Sequence, residues 1–309
     1  MASRKSRGPR PPARAAAAVT ALALALSACS AKKFAVRQIG DALSSGTSTF
    51  ETDPDIELVG EALPFSLKLI ESLLEITPRH LGLLLGAAKG FSLYALAYVD
   101  SEGEMLADED FDRGAALRQR AKRLYLRGLG YAMRAFETAY PGISGEFAAS
   151  PRTAARRVRK KHVVILYWAA ASLGLSIAAD PTDPSMLLRL GQVEALIERA
   201  LQLDEAWDRG ALHEFRLLLE ASRPVGGDPG LMERSFRRAL ELSGGKRAGL
   251  FVTYAEAAAV PAQDRELFDE MLARALAVDA DEHEADRLLN HLAHRRARWL
   301  QSRADDLFF

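Results

Sequence analysis

The stretch ERALQLD, at Glu198–Asp204, decides the fold class because similar strings return further along the chain. RRALELS follows at Arg237–Ser243 and ARALAVD at Ala273–Asp279, so the pattern returns after 39 and then 36 residues. Each copy places Ala-Leu before an apolar residue and a final polar one. This spacing indicates an internal repeat of one helical unit.

The alanine of each copy has a physical reason, since a small side chain lets a neighbouring helix approach closely. Phe236 and Phe268 fit the aromatic position of a tetratricopeptide repeat, whose second helix the pattern resembles. The first-helix signature of Trp, Leu-Gly and Tyr is missing, so the repeats are degenerate. We predict an all-α fold of stacked helical hairpins, a tetratricopeptide-like bundle or solenoid, in a single domain over residues 53–309.

Proline and glycine mark where the predicted helices begin and end. Asp53–Pro54, Asp183–Pro184 and Asp228–Pro229 each place a capping acid before a proline at the first helical position. Thr77–Pro78 ends the first helix, and Ser243–Gly245 is a glycine stop of the Schellman type. The further predicted helices are Leu81–Val99, Glu109–Tyr140, Val163–Ala179, Arg209–Ala221, Arg247–Ala259, Gln263–Val278 and Glu282–Asp305.

Two predicted helices lack the usual polar face. Leu81–Val99 carries one charge, Lys89, and Val163–Ala179 carries none. They approach the length that spans a bilayer, about 20 residues. Their Ala, Gly and Ser content and their charged neighbours favour helices that are enclosed on all sides by other helices.

Aromatic residues on these helices leave two interpretations open. Either both are plain core helices, or aromatic side chains border a cavity, since ligand pockets are largely apolar with few polar groups. A mixed aromatic and polar cluster at residues 204–215 supports a binding face and helix-turn packing about equally. The candidate ligand-binding residues are Phe91, Tyr94, Tyr167, Trp168, Trp207 and His213.

Residues 1–28 read as a lipoprotein signal peptide. Five basic residues precede the apolar stretch Ala15–Leu26, and Leu26–Cys29 resembles the bacterial lipobox. Cys29, the sole cysteine of the chain, is therefore the predicted lipidation site. An ordinary cleaved signal with an incidental cysteine is the alternative.

Lipidation at Cys29 would place the protein in the periplasm, anchored to a lipid bilayer by its N-terminal acyl chains. Ser30 stands where an aspartate would signal inner-membrane retention, so the outer membrane is the predicted site. Residues 29–52 are the predicted lipidated N-terminus and flexible tether, with the polar run Ser44–Thr49.

Charge and motifs exclude several functional classes. Loss of five of the 41 basic residues with the signal leaves 36 against 41 acidic ones, which argues against nucleic-acid binding. Neither a Gly-x-Ser-x-Gly elbow nor a His-Glu-x-x-His pair occurs, and Gly244–Lys246 is a helix cap, not a phosphate loop. We predict a protein that is not an enzyme and has no catalytic residue and no cofactor.

Two clusters of titratable residues each allow both a structural and a binding interpretation. His291 and His294 share a helix face, where a metal site is conceivable but a solvated face is favoured, so no metal is predicted. The basic run holds six cations and is either a solvated helix start, which is favoured, or a docking surface for an acidic partner or lipid headgroups. Its members are Arg152, Arg156, Arg157, Arg159, Lys160 and Lys161.

Motifs in order along most of the chain resemble one family, the T-component (TatT-type) lipoproteins of TRAP, the tripartite ATP-independent periplasmic transporters. The matching strings are Glu61–Leu69, Tyr125–Gly128, Tyr167–Ala170, Glu198–Asp204, Arg209–Phe215, Val225–Pro229, Leu242–Arg247, Val252–Glu256 and Arg295–Leu300.

The resemblance implies a periplasmic, lipid-anchored accessory protein that forms a homotrimer and associates with the solute-binding P-component. It also implies an internal pore for a hydrophobic or amphipathic solute, and it supplies no catalytic residue. A tetratricopeptide-like scaffold for outer-membrane or envelope assembly is the rival function. A lipid-anchored hydrolase is the weakest, because no nucleophile and base are found together.

Overall fold

The computed structural model describes residues 36–41, 49–223 and 226–309, and these contain helices and turns but no strand. The all-α prediction is confirmed for this part of the chain. The predicted signal peptide and Cys29 lie outside the described residues. Within the predicted tether, residues 36–41 are helical and residues 49–51 form a turn.

The helices are numbered here in chain order. They are α1 (Ile56–Ile76), α2 (Leu81–Leu106), α3 (Phe111–Ala139), α4 (Ile143–Ala149), α5 (Pro151–Arg156), α6 (Val163–Ala178), α7 (Pro184–Leu187), α8 (Leu190–Asp204), α9 (Ala211–Ala221), α10 (Pro229–Ser243), α11 (Ala248–Ala262), α12 (Arg265–Ala277), α13 (Arg287–Ser302) and α14 (Ala304–Leu307). Short 3-10 turns lie at Lys160–His162, Trp207–Gly210 and Glu284–Asp286.

The sequence signals set most helix ends correctly. Asp183 and Asp228 cap α7 and α10, each followed by a proline in the first turn. At the end of α10, Gly244 has a φ of 63°, and the Gly245 amide donates to the Leu240 carbonyl at 3.1 Å. The Gly244 amide bonds one residue further along, to Glu241, which is the Schellman pattern.

Several predicted boundaries are wrong, among them the start of the first helix and the end of the second. The first helix is capped by Asp55, not Asp53, because the Asp55 carboxylate accepts from the Leu58 amide at 2.9 Å, so Pro54 precedes the helix. The second does not stop at Val99 but continues to Leu106 through a π-helical segment. Asp100 is tolerated inside this helix because Tyr125 donates to its carboxylate at 2.8 Å.

Neighbouring helices pack side by side, α2 on α1 and α3, α6 on α3 and α8, α9 on α10, and α11 on α12 and α13. The apolar core falls into two main clusters, one built chiefly from α1 to α8 and one chiefly from α10 to α13. The repeat alanines Ala200, Ala239 and Ala275 are all buried, as the crowding argument predicts. The solenoid and its tetratricopeptide assignment stay a prediction.

By length and composition, Leu81–Leu106 and Lys160–Ala178 would each be able to cross a membrane. The most apolar window of the second is 61% buried among other helices, whereas that of the first is only 44% buried. Full enclosure is therefore wrong for α2, which keeps one open side.

Candidate functional site

Three of the six predicted ligand residues lie together at the N-terminal half of α6. Tyr167 packs edge-on against Trp168 with ring centroids 5.0 Å apart, and its centroid lies 4.8 Å from that of Trp207. Phe215, which sequence reasoning missed, joins them at 6.2 Å from Tyr167. Trp168 is buried and Tyr167 is half-buried, so Tyr167 is the better placed to meet a ligand.

The other three predicted residues have their own ring or polar partners, although Phe91 and Tyr94 belong to the same apolar core cluster as Trp168. Phe91 stacks on Tyr131 and Tyr94 stacks on Tyr98, each pair with centroids 5.8 Å apart. His213 is buried, and its Nε2 lies 3.1 Å from a glutamate oxygen, while burial lowers the pKa of the imidazole. The role of these six residues in ligand binding stays a prediction.

The open side of α2 is almost wholly apolar. Gly82, Leu85, Lys89 and Leu93 follow one another at helical spacing, and all are half-buried. Leu96 continues this side and is 41% exposed. An alkyl or aryl group can lie against such a surface, and Lys89 is its single charge.

Lys89 faces acidic groups from two other parts of the chain. Its ammonium group pairs with the Glu51 carboxylate in the turn before α1. Burial lowers the pKa of Lys89, and the negative charge of Asp208 offsets part of that effect. The lysine therefore lies in a poorly solvated place that its acidic neighbours make tolerable.

Asp208 belongs to a larger group of charges. Arg247 donates to the Asp208 carboxylate at 2.8 Å, and its Nη1 lies 3.5 Å from an oxygen of Glu214. Arg209 donates to Asp286 at 2.8 Å, and the Asp286 side chain is only 3% exposed. Because buried charges are costly unless paired, this network holds α9, α11 and the Trp207–Gly210 turn in one arrangement.

The Trp207–Gly210 turn has unusual backbone geometry. Asp208, Arg209 and Gly210 have φ angles of 44°, 50° and 99°, so three successive residues are left-handed. For residues other than glycine this region costs about 1–2 kcal/mol each. The ion pairs of Asp208 and Arg209 hold them in this conformation, which aims both side chains into the charged group. Sequence reasoning missed these angles, because only the Asp208-Arg209-Gly210 tripeptide hinted at a turn.

Several side chains around the Trp207–Gly210 turn are partly exposed, yet their pKa values shift in the direction that burial causes. Glu214 keeps 29% of its side chain exposed, but burial raises the pKa of its carboxyl group. Lys89 keeps 36%, and burial lowers its pKa. Burial likewise raises the pKa of Tyr167. Lys89, Tyr167, Asp208, Glu214 and Arg247 each interact electrostatically with at least one other member of this group, and we call the site that they form the recess.

The last long helix, α13, forms hydrogen bonds with the turn before α1 and with α2. The Leu288 amide in the first turn of α13 donates to the Glu51 carbonyl at 3.0 Å, which joins the two ends of the described chain. Further along α13, Arg295 donates to the Ala97 carbonyl of α2 at 3.2 Å. Nη1 of Arg295 also lies 3.8 Å from an oxygen of Glu57 in α1, so the last long helix is tied to both the first and the second.

Arg296 of α13 connects a further helix, α11, to α2 and α13. It donates to Glu104 of α2 at 2.6 Å and to Glu256 of α11 at 2.5 Å. Burial raises the pKa of Glu256, whose side chain is 33% exposed. α2, α11 and α13 therefore meet at one arginine.

Two π-helical segments lie at this meeting point, Ala95–Asp100 in α2 and Ala255–Ala259 in α11. Each follows Phe-x-x-Tyr, at Phe91–Tyr94 and Phe251–Tyr254. π-Helical turns occur mostly as functional bulges in α-helices. The repeated Phe-x-x-Tyr-Ala string was a signal that sequence reasoning missed.

A separate cavity lies at the loop between α1 and α2. It measures about 460 Å³ and is lined by residues 76–82 together with Arg37 and Asp41 of the short helix 36–41. None of the predicted aromatic residues borders it.

The predicted histidine face holds no metal-binding group. Within the described ranges, no three His, Cys, Asp or Glu side chains are placed to hold a metal ion. The expectation of a solvated face is wrong for His294, which is buried and bonds the Ala275 carbonyl at 3.0 Å. His291 is half-buried, and its Nε2 lies 3.3 Å from Asp281.

The described residues form an all-helical protein whose first and last long helices are tied together and which carries a cluster of partly buried charges beside aromatic side chains. Residues 52–308 match the family described as TRAP transporter T-component, and the chain belongs to that family. It is also 30% identical over 268 residues to an uncharacterized protein of Treponema pallidum (strain Nichols), covering 85% of this chain and 83% of that one.

Membership makes this chain an accessory component of TRAP transport, associated with other transporter components at a periplasmic or membrane-associated location. The family is one of transporter accessory proteins and not a known class of enzyme.

Proposed function

We propose that this chain is a lipid-anchored T-component that docks the solute-binding P-component and passes a hydrophobic or amphipathic solute through the recess. Cys29 carries the acyl chains, the outer membrane holds them, and a homotrimer is the assembled form. Residues 53–309 act as one domain.

The observation that carries the proposal is the open side of α2. Gly82, Leu85 and Leu93 offer an apolar surface that other helices leave half-buried, in a protein whose remaining long apolar helix is largely covered. Apolar side chains exposed within a protein have a free-energy reason to accept an apolar ligand.

The charged end of the recess supports an amphipathic solute. Lys89 and Arg247 present cations, and Asp208 and Glu214 present acids, beside the half-buried ring of Tyr167. A solute with an apolar body and a polar end would meet the leucines of α2 with one part and these side chains with the other.

Dye binding tests the passage. The probe is 1-N-phenylnaphthylamine, whose fluorescence rises in apolar surroundings, added to the purified protein. Leu93→Gln, on the open side of α2 one turn from Lys89, is expected to weaken dye binding several-fold. Leu188→Gln, at a leucine that is 87% exposed between α7 and α8, is the matched control and is expected to leave it unchanged. Equal binding by both variants would contradict passage through the recess.

Co-purification tests docking. The protein is expressed with its cognate P-component, and we expect the two to be recovered together after detergent extraction. Recovery of envelope-assembly proteins in place of the P-component would favour the scaffold function.

A further inference from the structure

The basic run of the sequence forms an exposed surface, here called the basic surface. All six side chains of Arg152, Arg156, Arg157, Arg159, Lys160 and Lys161 belong to exposed residues. Arg152, Arg157 and Lys160 each pair with one acid, namely Glu198, Glu146 and Asp204. Among the described residues, no ion pair is formed by Arg156, Arg159 or Lys161, so the surface carries a positive excess on a chain that has as many acids as bases.

The basic surface lies at one particular end of the molecule. α2 leaves the α1–α2 loop at Leu81, and α3 runs back toward that loop, so Arg134 donates to the Pro78 carbonyl at 3.1 Å. Tyr140, just after α3, accepts from the Arg159 amide at 2.9 Å. The basic surface and the α1–α2 loop are therefore at the same end.

The upstream chain reaches the fold at this end as well. In the short helix 36–41, Asp41 lies 3.3 Å from His80 of the α1–α2 loop, and Val36 is buried. Residue 36 follows Cys29 by seven positions, a span of at most about 25 Å. If Cys29 carries acyl chains, as the proposed function requires, the basic surface lies within reach of the bilayer.

We propose that the basic surface binds the anionic headgroups of the bilayer that anchors Cys29 and orients the protein on it. Clustered cations are attracted to an anionic membrane surface, and a polybasic patch adds to the hold of acyl chains. The mature chain has more acids than bases outside this surface, so other orientations are disfavoured by repulsion. The helices then stand with the α1–α2 loop toward the membrane.

Vesicle sedimentation tests the proposal without the acyl chains. The probe is the processed chain from residue 29 carrying Cys29→Ser, mixed with phosphatidylcholine vesicles with or without phosphatidylglycerol. We expect binding only when phosphatidylglycerol is present, and weaker binding as salt is raised. Absence of binding to the anionic vesicles would overturn the proposal.

Charge reversal supplies a matched pair of variants. Arg156→Glu, Arg159→Glu and Lys161→Glu together change the three unpaired cations and are expected to weaken vesicle binding at least tenfold. Arg120→Glu, Arg123→Glu and Arg298→Glu change the net charge equally at exposed residues elsewhere, and binding is expected to stay within twofold. Equal losses would overturn the proposal, because binding would then follow net charge alone.

Two further outcomes separate this inference from its rivals. If reversal of the basic surface abolishes capture of the P-component but leaves vesicle binding intact, the surface belongs to an acidic protein partner and the proposal fails. Labelling of the native chain with radioactive palmitate reports lipidation at Cys29 independently. Vesicle binding without labelling would support the lipid-binding surface and contradict the acyl anchor at Cys29. Labelling without vesicle binding would support the anchor and overturn the lipid-binding surface.

Discussion

The hydroxyl oxygens of Ser92 and Ser172 lie 2.8 Å apart where α2 crosses α6, and both side chains are completely buried. Each hydroxyl also lies within hydrogen-bond distance of its own helix, Ser92 at 2.9 Å from the Ala88 carbonyl and Ser172 at 2.6 Å from the Trp168 carbonyl. Because each hydroxyl has one proton, one serine donates to the other, and the accepting serine donates to its own carbonyl, which satisfies both hydroxyl groups in an otherwise apolar crossing.

α3 reaches this crossing through Gly128. A Cβ at Gly128 would lie 2.8 Å from the Ser92 hydroxyl and 3.0 Å from the Ala88 carbonyl. Gly128→Ala is therefore expected to lower the free energy of unfolding by about 1–3 kcal/mol, despite the better helix propensity of alanine. Gly130→Ala is the control, because nothing lies within 4 Å of its Cβ, and it is expected to stabilise by up to about 1 kcal/mol. Urea unfolding measures both, and a shift of the same sign in both variants would contradict the close approach.

Gly210 combines a left-handed backbone with close packing. Its φ is 99°, and an added Cβ would lie 3.0 Å from Cα of Ala239. Gly210→Ala is expected to destabilise by about 3 kcal/mol, from strain and clash together. Gly226 has a φ of 81° with open space around it, so Gly226→Ala measures the backbone strain without the clash. It is expected to cost about 1 kcal/mol. Thermal unfolding gives the difference, and equal costs would show that the clash is relieved.

Lys122 predicts a dependence of stability on pH. Its ammonium group lies 2.8 Å from the carboxylates of Asp180 and Asp183, and its hydrogen bond is the chief reason that the pKa of Asp180 falls from 3.8 to about 2. Because the folded pKa is the lower one, the stabilisation is complete above about pH 4 and is lost as pH falls toward 2. Lys122→Met is expected to lower the Tm at neutral pH, and the difference in Tm from the unmodified protein should shrink as pH falls below about 4, because Lys122 lowers the pKa of both Asp180 and Asp183. Arg123→Met, at an exposed neighbour, is the control, and a difference in Tm that stayed constant between about pH 7 and pH 2 would count against the ion pairs.

Glu51 and Lys89 offer a direct test of the closure of the fold. Lys89→Met and Glu51→Gln, singly and together, form a double-mutant cycle on the free energy of unfolding. We expect a coupling on the order of 1 kcal/mol, because the pair is only partly exposed. Glu51→Gln keeps the main-chain carbonyl that accepts from Leu288, so the cycle reports the side chains alone. Additive effects would mean that the two groups do not interact in solution.

Local chemistry explains which helix boundaries were predictable. Asp183 and Asp228 stand before prolines with no competing cap, and Gly244 is the natural left-handed stop, so these ends followed from sequence. At α1 two aspartates compete, and the choice of Asp55 depends on where its carboxylate meets an amide. The continuation of α2 past Val99 depends on a bond from α3 to Asp100, which no local pattern reveals.

The recess was less predictable than the fold. Tyr167 and Trp207 were found from aromatic placement, and Asp208 and Glu214 lie in the predicted cluster 204–215, but Lys89 and Arg247 come from distant segments whose approach depends on tertiary structure. Glu51 was assigned to a tether, and nothing around it in the sequence suggested a lysine partner in α2. Phe91 and Tyr94 were grouped with Tyr167 and Trp168 because all four are aromatic residues on the two apolar helices, and their rings stack on Tyr131 and Tyr98.

The turn at residues 49–51 and Thr52 after it also have a mechanical consequence. Glu51 accepts from the Leu288 amide, and Arg287 donates to the Thr52 carbonyl at 2.9 Å, so a pulling force that enters upstream is divided between the first and last long helices. Because the load is shared, the helical hairpins are not expected to unfold one after another. The protein should unfold under force in a single step.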